Sequence, residues 1–377
     1  MKVSFILGAG FSFNAGLPMA KDIWDRLTNP EIEEMTLCLG SSEWKWADLT
    51  SGPDLHNGRL SFERVPITLL LKNAIATFQA TSPPEEHNYE AFYAWIWEID
   101  DEGEVWQNIK QQTAIEVRDK FPDSDVLQGI SLSTKNLLFC LVHLIDDLLW
   151  PRKPLQEYSD LYAPYLSLMS NQEHDVRIYT LNHDRIVEKL LDRWWLKYSD
   201  GFTIENSPLI DPNDDPVSIF GNSFEERIKL YKLHGSIDQH LYVYANETDK
   251  AGEYDYFKTL DYHTKHSAKY VDASGEVRQH HNFYIEPRFI TGRNKLVLIK
   301  EDYMYTALYE AFKNDLPGSD LLIINGYSYL DPHVNDVIER SRDSIGKIIN
   351  INPGTTFPLE HSNFMNINPL NEAIILD

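Results

Sequence analysis

Two short polar segments carry residue types suited to chemistry: YTLNHD, Tyr179–Asp184, and KLHGS, Lys232–Ser236. Each follows an apolar run of strand composition, so each sits at a strand's carboxyl end, the edge at which open α/β sheets bind ligands. Asn182 offers both a donor and an acceptor and can hold a carboxamide or a water. Asp184 can orient a neighbour or cap the helix expected to begin at Arg185. His234 is followed by a glycine, which lets a ligand come close, and an imidazole titrates near neutral pH, as a general base must. That position sets His234 apart from the other twelve of the chain's 13 histidines. Among those, His183 alternates away from Asn182 if the strand geometry persists. The catalytic candidates are therefore Asn182, His234 and Asp184.

A third segment, GAGFSFNAGLP, spans Gly8–Pro18 where a strand hands over to a helix. Glycines there admit a pyrophosphate close to the backbone, and free N–H groups stabilise its charge. The usual dinucleotide fingerprint is incomplete: Phe13 stands where the third glycine belongs, and no acidic residue ends a second strand about twenty residues on. A tight glycine turn would read the same way. Two further strand ends, INGYSYLD at Ile324–Asp331 and INPG at Ile351–Gly354, contribute Gly326, Ser328 and Asn352. Their hydroxyl and amide groups suit ribose oxygens and an adenine, although turns and caps select the same residue types.

Placing these five segments on one edge requires alternating strands and helices. The pattern predicts strands at Lys2–Leu7, Val176–Thr180, Ile228–Leu233, Leu296–Ile299, Asp320–Asn325, Lys347–Ile351 and Ala373–Leu376. Helices are predicted at Pro18–Leu27, Arg185–Tyr198, Tyr303–Lys313 and Pro332–Arg342. The fold class is α/β, a Rossmann-like, mainly parallel sheet with helices on both faces. About 140 residues separate the first two strands, far more than a crossover needs. Helical spacing at Phe62–Phe78, Tyr89–Ile99, Val105–Val117 and Val126–Leu149 makes that gap a large all-helical insertion. The domains are then 1–28 with 171–377, the Rossmann part, and 29–170, the insertion. Tyr242–Tyr284, rich in polar residues, reads as a surface excursion.

Composition excludes several classes. Of 377 residues, 42% are hydrophobic, enough to fold without disulfides or structural metal. The balance of 34 basic against 58 acidic residues gives a formal charge of −24, which repels phosphate backbones, so direct nucleic-acid binding is not expected. Cys38 and Cys140, the only two cysteines, can build neither a disulfide framework nor a four-thiolate zinc site, so no metal is expected. The opening apolar run is too short for a signal peptide, and His143, Asp146 and Asp147 interrupt the most apolar later stretch. The expectation is a cytoplasmic protein without membrane contact.

In order and spacing, GAGFS…AGLP, TLNHD, LHGS, GYS…D and INPG resemble the NAD-binding and catalytic motifs of the sirtuin family, over about residues 1–28 and 171–377. The resemblance implies that Gly8, Ala9, Gly10 and Ser12 meet the phosphates of NAD, and it counts Gly16, Leu17, Pro18, Thr180 and Gly326 among the cofactor-binding residues. It gives Asn182 and Asp184 the nicotinamide end, His234 a ribose hydroxyl or water, and Ser328 and Asn352 the adenosine half. Sirtuin deacylases carry a four-cysteine zinc ribbon, which this chain cannot build. They have Asp-Phe-Arg where Met19-Ala20-Lys21 stands, and a polar residue in place of Leu181. The combination resembles the zinc-less, helix-inserted, sirtuin-like NADases of bacterial antiphage defence, in which Asn88-Tyr89-Glu90 also looks like a recurrent feature. That likeness implies an NAD+ hydrolase that releases nicotinamide and ADP-ribose and acts in abortive infection by depleting NAD. It also implies a homo-oligomer controlled by a regulatory protein partner, of the ring-shaped DNA-translocase ATPase type. The alternatives are an NAD-dependent protein deacylase or ADP-ribosyltransferase, and a non-catalytic module that senses NAD or ADP-ribose.

Overall fold

The computed structural model describes residues 1–28, 35–38, 43–46, 60–122, 127, 130–244, 248–278, 295–352 and 364–367. The chain forms two units. One comprises Met1–Leu17, Pro151–Ile290 and Leu296–Asp377, the other Pro18–Trp150 and Thr291–Lys295.

The first unit is built on seven strands: β1 (Lys2–Leu7), β2 (Asp175–Thr180), β3 (Tyr198–Ser199), β4 (Ile228–Lys232), β5 (Leu321–Asn325), β6 (Lys347–Ile351) and β7 (Phe364–Ile367). They pair in parallel in the order β7-β6-β5-β1-β2-β4-β3. The central strands are near-continuous apolar runs because both faces of the sheet are covered. Alternation divides their side chains between two cores. Val3, Phe5, Val176, Ile178, Leu230 and Ile323 pack with the Ala163–Ser170 and Ile186–Arg193 helices through Leu168, Met169, Leu190 and Leu191. Ile6, Tyr179, Tyr231, Leu322 and Ile324 pack with the Tyr303–Asp315 and Pro332–Ser341 helices through Met304, Leu308, Phe312, Val334 and Ile338. The expected fold class, a Rossmann-like parallel sheet with helices on both faces, is what the chain adopts.

Several local expectations differ from the structure. Leu296–Ile299 is not a strand but part of the Lys295–Glu301 helix. Its apolar run is too short to separate the two periods, and Leu296 and Val297 are 52% and 47% exposed while Ile299 is buried, the signature of one helical face. The helix predicted over Arg185–Tyr198 stops at Arg193, and Tyr198–Ser199 becomes an edge strand beside Ile228 and Lys229. Tyr242–Tyr284 is not a loose excursion over its described part. Gln239–Val243 and Tyr254–Lys258 join Ser218–Ser223 and Gly201–Thr203 in an antiparallel sheet, beside a smaller sheet of Leu209–Ile210, Lys269–Val271 and Val277–Arg278. Tyr242, Tyr244, Phe257 and Tyr270 form their own core there; tyrosines at alternate positions supplied apolar bulk that a polar composition concealed. The expected strand Ala373–Leu376 and the residues Pro353 and Gly354 lie outside the described residues.

The second unit contains the Ala20–Thr28, Leu60–Thr81, Tyr89–Glu98, Glu104–Lys120 and Thr134–Leu149 helices. It is not all-helical: Met35–Cys38 and Glu43–Trp46 pair as an antiparallel hairpin. Trp44 and Trp46 alternate inward, and the Trp46 indole N–H donates to the Leu144 carbonyl at 3.0 Å. Trp24 stacks edge-on against Phe78 and Phe92, which places Ala20–Thr28 with these helices, although the sequence division fell at residue 28. Residues 151–170 lie with the sheet rather than the insertion: the Tyr162 hydroxyl donates to the Phe11 carbonyl at 2.6 Å. Asn88 caps the Tyr89–Glu98 helix by accepting from Ala91 N–H at 2.9 Å, so this residue has a structural task. Among the described residues no helix is long and apolar enough to cross a membrane.

Candidate functional site

The strand order reverses at β1, which lies between β5 and β2, and a crevice at the carboxyl ends of strands is expected beside such a point. At the exit of β1, Gly8 N–H donates to the Asn325 carbonyl at 2.9 Å and Gly10 N–H to the Gly326 carbonyl at 3.0 Å. A methyl group on Gly326, whose φ is +67°, would stand 2.1 Å from Phe11 N, and one on Gly8 would stand 2.5 Å from Gly326 O. These glycines are thus the means by which two strand-exit loops cross backbone against backbone. Two of the N–H groups expected to meet a diphosphate are engaged by the β5 exit. Ala9 then opens the one-turn Ala9–Phe13 helix. Gly16, with φ +85°, closes the following turn onto Phe13, Leu17 is buried and bonded to Ser12 O, and Pro18 begins the second unit.

Behind this crossing lies a buried polar chain. The Asn182 side-chain amide donates to the Gly8 carbonyl at 2.9 Å and to Ser12 Oγ at 3.0 Å. Because a carbonyl can only accept, the atom facing Gly8 O must be nitrogen, and this settles the orientation of the amide. Ser12 in turn donates to the Asp184 carboxylate. Asn182 N–H is held by Thr180 Oγ1 at 3.1 Å. Both amide hydrogens are therefore committed, and Oδ1 is what Asn182 offers to a ligand. The helix expected to begin at Arg185 begins at Ile186 with Arg185 at its N-cap, and Asp184, one residue earlier, accepts from Ile186 N–H through Oδ1 at 2.8 Å. Burial raises its pKa, against the lowering pull of Lys232, the Ile186 N–H and the Ser12 hydroxyl. The buried Lys232 ammonium bonds the Asp184 carbonyl and lies 3.4 Å from Glu188.

Leu233 N–H bonds the Thr180 carbonyl at 3.0 Å, which keeps the exits of β2 and β4 side by side and carries Asn182 and His234 to the same edge. His234 is 3% exposed, and Gly235 after it has φ +84°. Below it, Asp238 is paired with Arg185 at 2.9 Å and Lys258 at 3.5 Å. Burial opposes the Asp238 charge, but Lys258, Arg185 and Lys232 outweigh it and hold the carboxyl below the usual range.

The strand ends at Thr180, so strand alternation does not extend to His183, and Ile237 N–H and Ser236 Oγ both bond the His183 carbonyl. Its ring centre lies 6.4 Å from that of His234. The His333 ring centre lies 5.8 Å from that of His234, with Asp331 nearby. Asp331 and His333 are not among the sequence candidates; their spacing of two at the start of a helix is the signal that could have found them. Of the remaining candidates, Ser328 is exposed in the loop after β5, while Asn352 is buried with its amide donating to Asn350 Oδ1 at 2.6 Å. The same oxygen accepts from the Tyr329 hydroxyl.

Residues 176–361 match the SIR2-like domain family. That segment contains Asn182, Asp184, His234, Gly326, Ser328 and Asn352 and excludes the Gly8–Pro18 loop. A solved structure from work on the mechanism and regulation of Sir2 enzymes aligns over 94% of this chain and 82% of its own, at 12% identity and a TM-score of 0.35. No curated protein matches the chain.

Proposed function

We propose that the protein is an NAD+ glycohydrolase that cleaves the nicotinamide–ribose bond and releases nicotinamide and ADP-ribose. The observation that carries this reading is the committed amide of Asn182: with both hydrogens held by Gly8 and Ser12, its Oδ1 is a preorganised acceptor on the strand edge that also delivers His234. The SIR2-like match over 176–361 supports NAD as the substrate. In the reaction, the C1′–N bond breaks with its electron pair leaving on nicotinamide, which departs as a neutral base. Water, held by Asn182 Oδ1, adds to the anomeric carbon and passes a proton to His234. Asp184 acts through Ser12 to keep the amide in place. Fixing the reacting water in this way supplies part of the rate that free water lacks.

Nicotinamide release by purified protein tests the reading. Asn182→Ala and His234→Ala are each expected to lose about a hundredfold or more in turnover; variants as active as the wild type would remove these residues from the mechanism. Products that form only with an acylated or nucleophilic acceptor would favour a deacylase or ADP-ribosyltransferase, and NAD binding without turnover would favour a sensing module.

The antiphage role follows from the resemblance of the motifs and is proposed with it: a cytoplasmic, homo-oligomeric effector that depletes NAD when a ring-shaped ATPase partner engages it. Loss of cellular NAD on infection, absent in Asn182→Ala cells, is the corresponding measurement.

A further inference from the structure

The exit of β4 and the first turn of the Pro332–Ser341 helix bring together three groups whose combination the proposed hydrolysis does not require. His234, Asp331 and His333 each present one ligand-type atom, and those atoms lie within 4.8 Å of one another. We propose that they form a binding site for one divalent transition-metal ion of the Zn2+ type.

Three observations support the assignment. Two imidazoles and one carboxylate suit zinc and its neighbours, whereas calcium and magnesium take all-oxygen shells. Asp331 occupies the N-cap of its helix, where a carboxylate ordinarily accepts from the first-turn N–H groups. It makes no such side-chain bond; Val334 and Asn335 N–H instead bond its main-chain carbonyl, and the carboxylate lies with the two imidazoles. The His333 ring is held by the Tyr309 hydroxyl, 2.9 Å from Nε2. Outer partners of this kind are what orient metal-bound imidazoles.

Ligand atoms in a tetrahedral zinc site stand about 3.3 Å apart, given metal–ligand distances of about 2.0–2.1 Å. Closing the present spacing requires side-chain rotation of about an ångström, with a water completing the shell. An ion there takes the His234 lone pair that would otherwise accept a proton, so zinc and NAD turnover exclude one another. This consequence alone rests on the proposed function; the site does not.

Calorimetric titration of the full-length, chelator-treated protein with Zn2+ tests the site. The wild type is expected to take up one equivalent per chain, His333→Ala and Asp331→Asn to bind at least about tenfold more weakly, and His174→Ala, altered at the opposite end of β2, to bind as the wild type does. X-ray absorption of zinc-loaded wild type is expected to show two imidazoles and one carboxylate, a readout that does not depend on the variants folding. No uptake by the wild type, equal binding by the site variants, or a different ligand set overturns the proposal. Nicotinamide release adds a separate arm: zinc should suppress it in the wild type and suppress it less in His333→Ala. A wild type that binds zinc but releases no nicotinamide under any condition leaves the metal site standing and removes the glycohydrolase.

Discussion

At the scale of single residues, the exit loops of β1 and β5 leave no room for a Cβ. Gly326 has φ +67°, and a methyl there would overlap Phe11 N and the Gly10 carbonyl carbon, which are backbone atoms that cannot rotate away. Gly326→Ala should therefore destabilise the sheet unit by about 3 kcal/mol, from the left-handed conformation and the forced separation of two loops together. A thermal midpoint equal to the wild type's would show that the crossing is looser than described. Asn182 illustrates a different point. Its residue type was legible as polar chemistry at a strand end, but which of its two functions remained for a ligand depended on Gly8 O and Ser12 Oγ, which are 174 and 170 residues away in sequence.

At the scale of elements, a capping side chain does not always mark a helix start in the sequence: the Thr134–Leu149 helix is capped by Ser133, whereas the pattern predicts a start at Val126, but Asn88 marks its helix correctly. Asn88 accepts from Ala91 N–H, and its replacement by alanine should cost about 1 kcal/mol in chemical denaturation while leaving nicotinamide release intact. A drop in turnover without a stability change would instead give this segment a functional part. The elements that misled were those whose period is ambiguous or whose burial is carried by tyrosine. Leu296–Ile299 offered four apolar residues, too few to distinguish alternation from one helical face. Gln239–Val243 and Tyr254–Lys258 conceal a core under a polar composition, because a tyrosine buries its ring and leaves its hydroxyl to a polar partner, as Tyr244 does with Asp255 at 2.5 Å.

At the scale of the whole molecule, a large acidic excess is held in one fold together with a buried ion network. Asp238 is lowered to about 2 by Lys258, Arg185 and Lys232 despite burial, against an ordinary value of 3.8. A carboxyl depressed in the folded state contributes stability that is present above the unfolded value and is lost as pH falls towards the folded one. Unfolding midpoints for wild type and Asp238→Asn should thus differ most near neutrality and converge as pH drops from about 4 to 2. A gap that stays constant through that window would mean that the ion pairs with Arg185 and Lys258 do not stabilise the fold.

What the sequence by itself determined was the five central strands of the sheet and the edge at which their polar carboxyl ends lie. Strands covered on both faces must be apolar throughout, so the points where they break into Asn182, His234, Gly326 and Asn352 mark their carboxyl ends without reference to anything distant. What only the tertiary structure decided was which of those ends meet. Gly8 and Gly10 spend their N–H groups on the β5 exit, His183 turns back beside His234 once the strand has ended, and Asp331 and His333 arrive from a helix nearly a hundred residues further on. The reason is physical: strand and helix periods are set by neighbours in the chain, whereas the partners of a buried polar group are chosen by strand order and by the need to satisfy each donor and acceptor out of water.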